Sequence, residues 1–166
     1  MRTSGDVMIE ISADPWVVYG LVADVTRIGE FSPECRSARW QPGTSTAIAG
    51  ARFRGRNIAG LIRWSRECEV VTAEPAGEFA FRTIPTWLKR DSTLWTYRFR
   101  DVAAGTEVTE SYEIVKMPPK PILAVIRRLL RHHIDMRPHM QRTLEALKHT
   151  AESADHGFDP TPQTAR

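Results

Sequence analysis

Trp95-Thr96-Tyr97-Arg98-Phe99-Arg100-Asp101-Val102-Ala103-Ala104-Gly105-Thr106-Glu107-Val108-Thr109-Glu110-Ser111-Tyr112-Glu113-Ile114 is the stretch on which the fold of this chain turns. Side chains along an extended strand point alternately to opposite faces, so residues two apart share a face. In the first half Trp95, Tyr97 and Phe99 oppose Thr96, Arg98 and Arg100. In the second half Val108, Glu110, Tyr112 and Ile114 oppose Thr109, Ser111 and Glu113. Ala103 to Gly105 is the break between them. Two half-buried strands joined by so short a loop are antiparallel neighbours by default.

The same alternation continues toward the N-terminus. Phe79 and Phe81 oppose Glu78 and Arg82. Ile62, Trp64, Arg66, Cys68 and Val70 oppose Arg63, Ser65, Glu67 and Glu69, and Phe53, Gly55 and Asn57 oppose Arg52, Arg54 and Arg56. Further breaks fall at Gln41-Pro42-Gly43, Ala59-Gly60, Glu74 to Gly77 and Ile84 to Asp91. Cys35 to Lys116 therefore reads as six strands, and Val7 to Ser12 adds a seventh at the start. Between them, Asp14 supplies an N-cap and Pro15 the first helical position of a helix continuing through Trp16 to Val25. A second short helix is expected from Thr26 to Pro33.

Toward the C-terminus, Met117-Pro118-Pro119-Lys120-Pro121 ends the strands. Ile122, Ile126, Leu129, His133, Met136, Met140, Leu144 and Leu147 then follow at steps of three or four, one apolar stripe on a helix running to about Ser153. Pro138 lies inside that pattern and should kink it. The spacing predicts one α+β domain over residues 1–153, with 154–166 a disordered tail. A seven-stranded antiparallel sheet with one apolar face needs a cover, and the long C-terminal helix is the element long enough to provide it.

Composition agrees with one globular domain: 166 residues, 42% hydrophobic and 26% charged. A formal charge of +3 is too small to argue for nucleic acid. Met1 to Asp6 has no apolar core, so no signal peptide is expected, and no run is long enough to span a membrane. Cys35 and Cys68 form no CxxC pattern and read as two reduced thiols of a cytoplasmic protein. Oligomeric state, a homodimer included, is left open.

Three polar residues fall on faces that are otherwise apolar: Asn57, Arg66 and Glu110. Burying a lone charge costs several kcal/mol, so Arg66 and Glu110 are expected to offset one another as a pair. The buried hydroxyls of Tyr97 and Tyr112 would also need partners. Such a set either fixes the fold as a buried polar network or lines a cavity. On the second reading the strands contribute Phe53, Asn57, Trp64, Arg66, Phe81, Trp95, Tyr97, Glu110 and Tyr112, and the helix contributes Leu129, His133, Met136 and Met140.

Signatures of nucleotide binding, metalloprotease chemistry and nucleophilic hydrolysis are absent. His132 and His133 are adjacent on the helix and His139 comes six residues later, without the i, i+4 spacing of a metal pair. No metal and no cofactor are expected. Catalysis, if the chain has it, is acid–base work on a bound ketone, with Glu110 as base and Arg66 stabilising an enolate. A separate candidate is the basic set Arg127, Arg128, Arg131, His132, Arg137, Arg142 and Lys148 on the last helix. It is either a solvated face or a surface for an anionic partner. Trp87, Lys89 and Arg90 in the loop before Asp91 form a similar, smaller set.

In order and spacing the chain resembles the START-like (SRPBCC) superfamily, in particular its polyketide cyclase/dehydrase and lipid-transport branch. The resemblance rests on Ala13-Asp14-Pro15, Asp24, Gly29-Glu30-Phe31-Ser32-Pro33-Glu34 and Gly50-Ala51-Arg52-Phe53-Arg54-Gly55-Arg56-Asn57. Trp64, Cys68, Val70, Glu74-Pro75, Trp95-Thr96-Tyr97, Gly105 to Ser111, and the close in Leu144, Leu147, Lys148 and Glu152 continue it, covering residues 7 to 152. It implies a helix-grip fold in which a curved sheet wraps around the C-terminal helix and encloses a small hydrophobic ligand, lipid or polyketide-like. It leaves open whether that ligand is carried or converted by a cyclase or dehydratase reaction.

Overall fold

The structure is a computed structural model that describes residues 2–87, 90–129 and 135–155, without the side chains of residues 122, 125–127, 129 and 155. The elements run β1 (Ser4–Ile11), α1 (Pro15–Ala23), a 3-10 turn (Val25–Glu30), β2 (Cys35–Trp40), β3 (Arg52–Ala59), β4 (Ile62–Glu74), β5 (Glu78–Thr83), β6 (Ser92–Val102), β7 (Gly105–Lys116), α2 (Lys120–Leu129) and α3 (Arg137–Asp155). The seven strands form one antiparallel sheet in the order β1-β7-β6-β5-β4-β3-β2. From β2 onward each strand pairs with its successor in the chain, and β1 closes on β7.

Local chemistry starts and stops the short helices. The Asp14 carboxylate accepts from the Trp16 N–H at 2.7 Å, and Pro15 takes the first position of α1. Asp24 then accepts from the N–H and hydroxyl of Thr26 at 3.1 and 2.6 Å, so a new cap ends α1 at Ala23 instead of Val25. Val25–Glu30 is a tight 3-10 turn rather than a helix reaching Pro33.

The alternation holds along the strands except where a bulge interrupts it. On the outer face the charges meet directly across the ladder: Arg52 pairs Glu69 (2.9 Å), Glu69 pairs Arg82 (2.7 Å), Glu78 pairs Arg98 (2.9 Å) and Glu107 pairs Arg100 (2.6 Å). Arg54 and Glu67 do the same. Each of these exposed pairs contributes less than about 1 kcal/mol. Register shifts fall between Cys35 and Ser37, between Val70 and Thr72, and between Ser92 and Thr93; the one on β4 moves the inward parity by one residue. Val71 is left exposed, and Ala73 takes the inward place opposite Phe79.

The C-terminal helix departs from expectation. It is not one kinked helix from 122 to 153 but α2 and α3, with Asp135 and Met136 non-helical before α3. Proline lacks an N–H and its ring collides with the carbonyl four residues back, a penalty absent from a first turn. Pro138 accordingly sits second in α3, after the Asp135 carboxylate accepts from the Arg137 N–H at 3.2 Å. Pro138 thus helps to start a helix. Residues 130–134, including His133, lie outside the described residues. So does the expected tail, apart from Ala154 and Asp155, which extend α3.

α3 lies across β1 and α1 on the inner face, held by Lys148 to the Glu10 carbonyl (2.7 Å) and by the Ser12 N–H to Glu152 (2.9 Å). Under it Ile11, Val18, Phe99, Val108, Leu144, Leu147 and Ala151 form a closed apolar core at one end of the sheet. Gly105, at φ 123°, lets the β6–β7 turn approach β1: a Cβ there would lie 2.4 Å from the Ile11 carbonyl oxygen. The other end, beyond Phe53 and Phe81, is not filled.

Candidate functional site

At that end the inner face and the N-terminal half of α3 surround a cavity of about 390 Å³. This lies within the roughly 300–1,000 Å³ of small-molecule sites. Strand parity brings Phe53, Gly55 and Asn57 from β3 to its wall, with Ile62, Trp64, Arg66 and Cys68 from β4. Phe81 and Thr83 come from β5, Thr93, Trp95 and Tyr97 from β6, and Glu110 and Ile114 from β7. Met136, His139, Met140 and Thr143 close it from the helix side, and Ile28 and Ser32 to Cys35 from the segment leading into β2.

Ten residues expected at a cavity therefore line this one: Phe53, Asn57, Trp64, Arg66, Phe81, Trp95, Tyr97, Glu110, Met136 and Met140. Tyr112 is buried but stands beside the cavity, its ring 5.8 Å from that of Trp95. His133 and the side chain of Leu129 lie outside the described residues. Sequence reasoning missed Thr83, Asp91, His139 and Thr143. Thr83 continues the inward parity of Phe79 and Phe81 on β5, a signal present in the sequence, whereas Asp91 lies in a loop, where parity carries no information. His139 and Thr143 sit beside the apolar stripe, one helical turn apart.

The expected pairing of Arg66 with Glu110 does not form. The two residues are on β4 and β7, with β5 and β6 between them, so about 14 Å separates their strands at the usual spacing. They are also out of step. Glu110 is level with Tyr97, Tyr97 with Phe79 and Phe79 with Ala73, seven positions beyond Arg66 on β4. Both side chains do point inward, so the parity of each strand was legible and the partnership was not.

Arg66 is instead held at the hairpin end of the cavity. Its guanidinium donates to the Asp91 carboxylate (3.2 Å), the Asp91 carbonyl (2.9 Å) and the Thr83 hydroxyl (2.9 Å). Thr83 also accepts from the Thr93 N–H at 2.9 Å, which fixes it at the start of β6. The Arg66 side chain is only 12% exposed, so this is a partly desolvated, well-partnered cation.

Glu110 is 3% exposed. Its Oε1 accepts from the Tyr97 hydroxyl at 2.7 Å, and its Oε2 meets no hydrogen-bond partner among the described residues. Burial pushes its pKa up to about 8, and the Tyr97 hydrogen bond pulls the other way without overcoming this. The carboxyl is therefore largely neutral at pH 7. Burial and the neighbouring Glu110 raise Tyr97 well above its usual value. The thiols behave alike: burial pushes Cys35 up to about 11 and Cys68 up to about 12, so neither is an activated nucleophile.

The described residues contain no cluster of three or more potential metal ligands. The basic face of the last helices is partly neutralised: Arg137 pairs with Asp135 at 2.7 Å and Lys148 with Glu152 at 3.4 Å. Arg128 and Arg142 are exposed, while Arg131, His132, Leu88 and Lys89 lie outside the described residues. Trp87 is largely exposed. No described helix is long and apolar enough to cross a membrane.

Comparison with known proteins places this geometry. Among solved structures, protein CV1439 from Chromobacterium violaceum superposes with a TM-score of 0.64 at 13% identity, covering 91% of this chain and 99% of its own. The di-domain ARO/CYC StfQ from the steffimycin biosynthetic pathway gives 0.71 at 12% identity, over 94% of this chain and 52% of that one. The Polyketide_cyc-like protein Cgl2372 from Corynebacterium glutamicum gives 0.53 at 25% identity, over 99% of both chains. No curated protein matches the sequence. The sequence model of the family described as polyketide cyclase / dehydrase and lipid transport matches residues 2–152, nearly the whole chain, and the protein belongs to that family.

Proposed function

We propose that the protein binds a small, largely apolar molecule in the cavity between the sheet and α3. The carrying observation is the cavity itself, about 390 Å³, with an aromatic and aliphatic wall and a few placed polar groups. Those groups stand in two places: Arg66 with Thr83 and Asp91 near the β3–β4 hairpin, and Tyr97 with Glu110 deeper in. This suits a ligand with polar atoms spaced along an apolar body, as a lipid or a polyketide has. The unpaired Cys35 and Cys68 fit a reducing compartment such as the cytoplasm. Native mass spectrometry of the purified protein is expected to reveal a co-purifying apolar molecule. A panel of lipids, sterols and aromatic polyketides should raise the melting temperature, because ligand at a hundredfold excess over Kd adds about 2.7 kcal/mol. No shift across the panel and no bound mass would overturn the reading.

One observation favours a second reading, acid–base catalysis in the same cavity. Glu110 is raised to about 8, near working pH, as a proton-transfer group needs. A cyclase or dehydratase would use it on a bound ketone, with Arg66 stabilising negative charge at the other end. Turnover of an aromatic polyketide that is lost in Glu110→Gln while binding persists would support this. Equal turnover in the variant would remove it.

A further inference from the structure

The oxygen of Glu110 that has no partner is the least explained polar atom of the cavity. Glu110 is 3% exposed and is one of the residues lining the cavity. One oxygen is occupied, since Tyr97 donates to it at 2.7 Å. The other meets no partner among the described residues. A buried polar atom left unsatisfied costs about 1–3 kcal/mol, so a ligand that satisfies it gains that back as affinity. We propose that this oxygen orients the ligand, donating a hydrogen bond to a carbonyl or ether oxygen of a neutral molecule that lies with that oxygen at the deep end of the cavity.

Three observations select a neutral acceptor. Tyr97 already donates to Oε1, so the proton of the neutral acid resides on Oε2, the oxygen left for a ligand to meet. No ion pair reaches Glu110 among the described residues, and Arg66, the cavity's arginine, is engaged elsewhere. Burial then keeps the group protonated up to about pH 8. A carboxylate ligand would lose its hydration beside a group that, once ionised, repels it. The strand sets the depth: Ile114 lies four residues nearer the end of β7 than Glu110, about 13 Å at 3.3 Å per residue. The ligand oxygen that meets Glu110 is therefore far from Arg66, and the two ends of the cavity read different parts of one molecule. This inference rests on the cavity-binding reading.

The groups that could mimic a Glu110 titration are few. Tyr97 of β6 touches it. Across the cavity stand Cys35 of β2, Arg66 and Cys68 of β4, and His139 of α3, while Glu34 and Asp91 lie toward the hairpin end.

The test uses 9-fluorenone, fluorene and 9-fluorenecarboxylate, three planar probes of similar size, with Trp64 and Trp95 in the wall as fluorescence reporters. Fluorenone should gain about tenfold in affinity over fluorene in the wild type relative to the same ratio in Glu110→Leu. That gain should fade as pH rises through about 8. Glu110→Gln, which keeps an N–H donor, should retain the preference without the pH dependence. This separates Glu110 from His139 and the thiols. The infrared carbonyl band of bound fluorenone should shift to lower frequency in the wild type and in Glu110→Gln. That readout holds even if Glu110→Leu fails to fold. Preference for the carboxylate, or an unchanged ratio and an unshifted band with both neutral probes bound, would overturn the orienting role and leave the cavity reading intact. Failure of all three probes to bind would overturn both.

Discussion

The Tyr97 hydroxyl donates to Glu110 Oε1 at 2.7 Å between directly paired positions of β6 and β7. Cross-strand partners on one face have Cβ atoms about 5 Å apart, so a tyrosine can reach a glutamate only if both lean along the sheet into a shared space. Here that space is the cavity. The pair is the deepest polar feature of the site, and its properties are the most testable ones.

Removing the donor should change the acid. The Tyr97 hydrogen bond lowers the Glu110 pKa against the larger effect of burial. Tyr97→Phe should therefore move the Glu110 titration still higher and destabilise the fold by about 1–2 kcal/mol. Carbon-13 chemical shifts of a labelled Glu110 carboxyl across pH read the first effect, and urea unfolding reads the second. A titration that moves down would contradict the assigned donor.

Stability should fall with rising pH because of this one residue. Its folded pKa, about 8, lies above the ordinary 4.5, so the folded state holds the proton longer than the unfolded state. Below about pH 4.5 both states are protonated and there is no penalty. Between about 4.5 and 8 the unfolded state ionises first, and the penalty grows to about 5 kcal/mol. Glu110→Gln should abolish that slope, gaining on the wild type by several kcal/mol across the window. Parallel urea-derived stability curves for the two proteins would refute the assignment.

Arg66 should couple to Asp91 and not to Glu110. In unfolding experiments Arg66→Met and Glu110→Leu should add within about 0.5 kcal/mol, because the residues do not touch. Arg66→Met with Asp91→Asn should show an interaction energy above that threshold, their groups being 3.2 Å apart. The reverse outcome would mean that the β4–β7 spacing is wrong.

The two thiols should be inert in the native protein. With pKa values of about 11 and about 12, the reactive thiolate is scarce at pH 8. Iodoacetamide should label Cys35 and Cys68 only on unfolding, as read by mass spectrometry. They should also resist mutual oxidation. Cys35 pairs with Asn57 and Cys68 with Phe53 on either side of β3, so their strands are about 10 Å apart, beyond disulfide reach.

Much of the architecture was legible locally. Alternation at Phe53/Asn57, Trp64/Arg66, Trp95/Tyr97 and Glu110/Ile114 identified the inward side chains, because the two-residue period of a strand is written in the chain itself. Asp14-Pro15 marked the start of α1 for the same reason: a cap needs only its own neighbours. Pro138 was noticed, but its effect was misjudged. Whether a proline kinks a helix or begins one depends on where the preceding turn ends, and here Asp135 and Met136 are not helical.

What the chain by itself determined is which way the strand residues face wherever no bulge interrupts the ladder. What only the tertiary structure decided is whom it meets. Arg66 and Glu110 both face inward, as parity requires. Their distance, however, comes from two intervening strands and a register offset that accumulates across three ladders and a bulge. Asp91, in a loop without periodicity, could be recognised as Arg66's partner only once β5 and β6 were paired. The cavity is the same kind of fact. Phe53, Phe81 and Trp95 could have filled the space, and whether they do depends on where α3 comes to rest over a curved sheet, a balance of packing over the whole molecule.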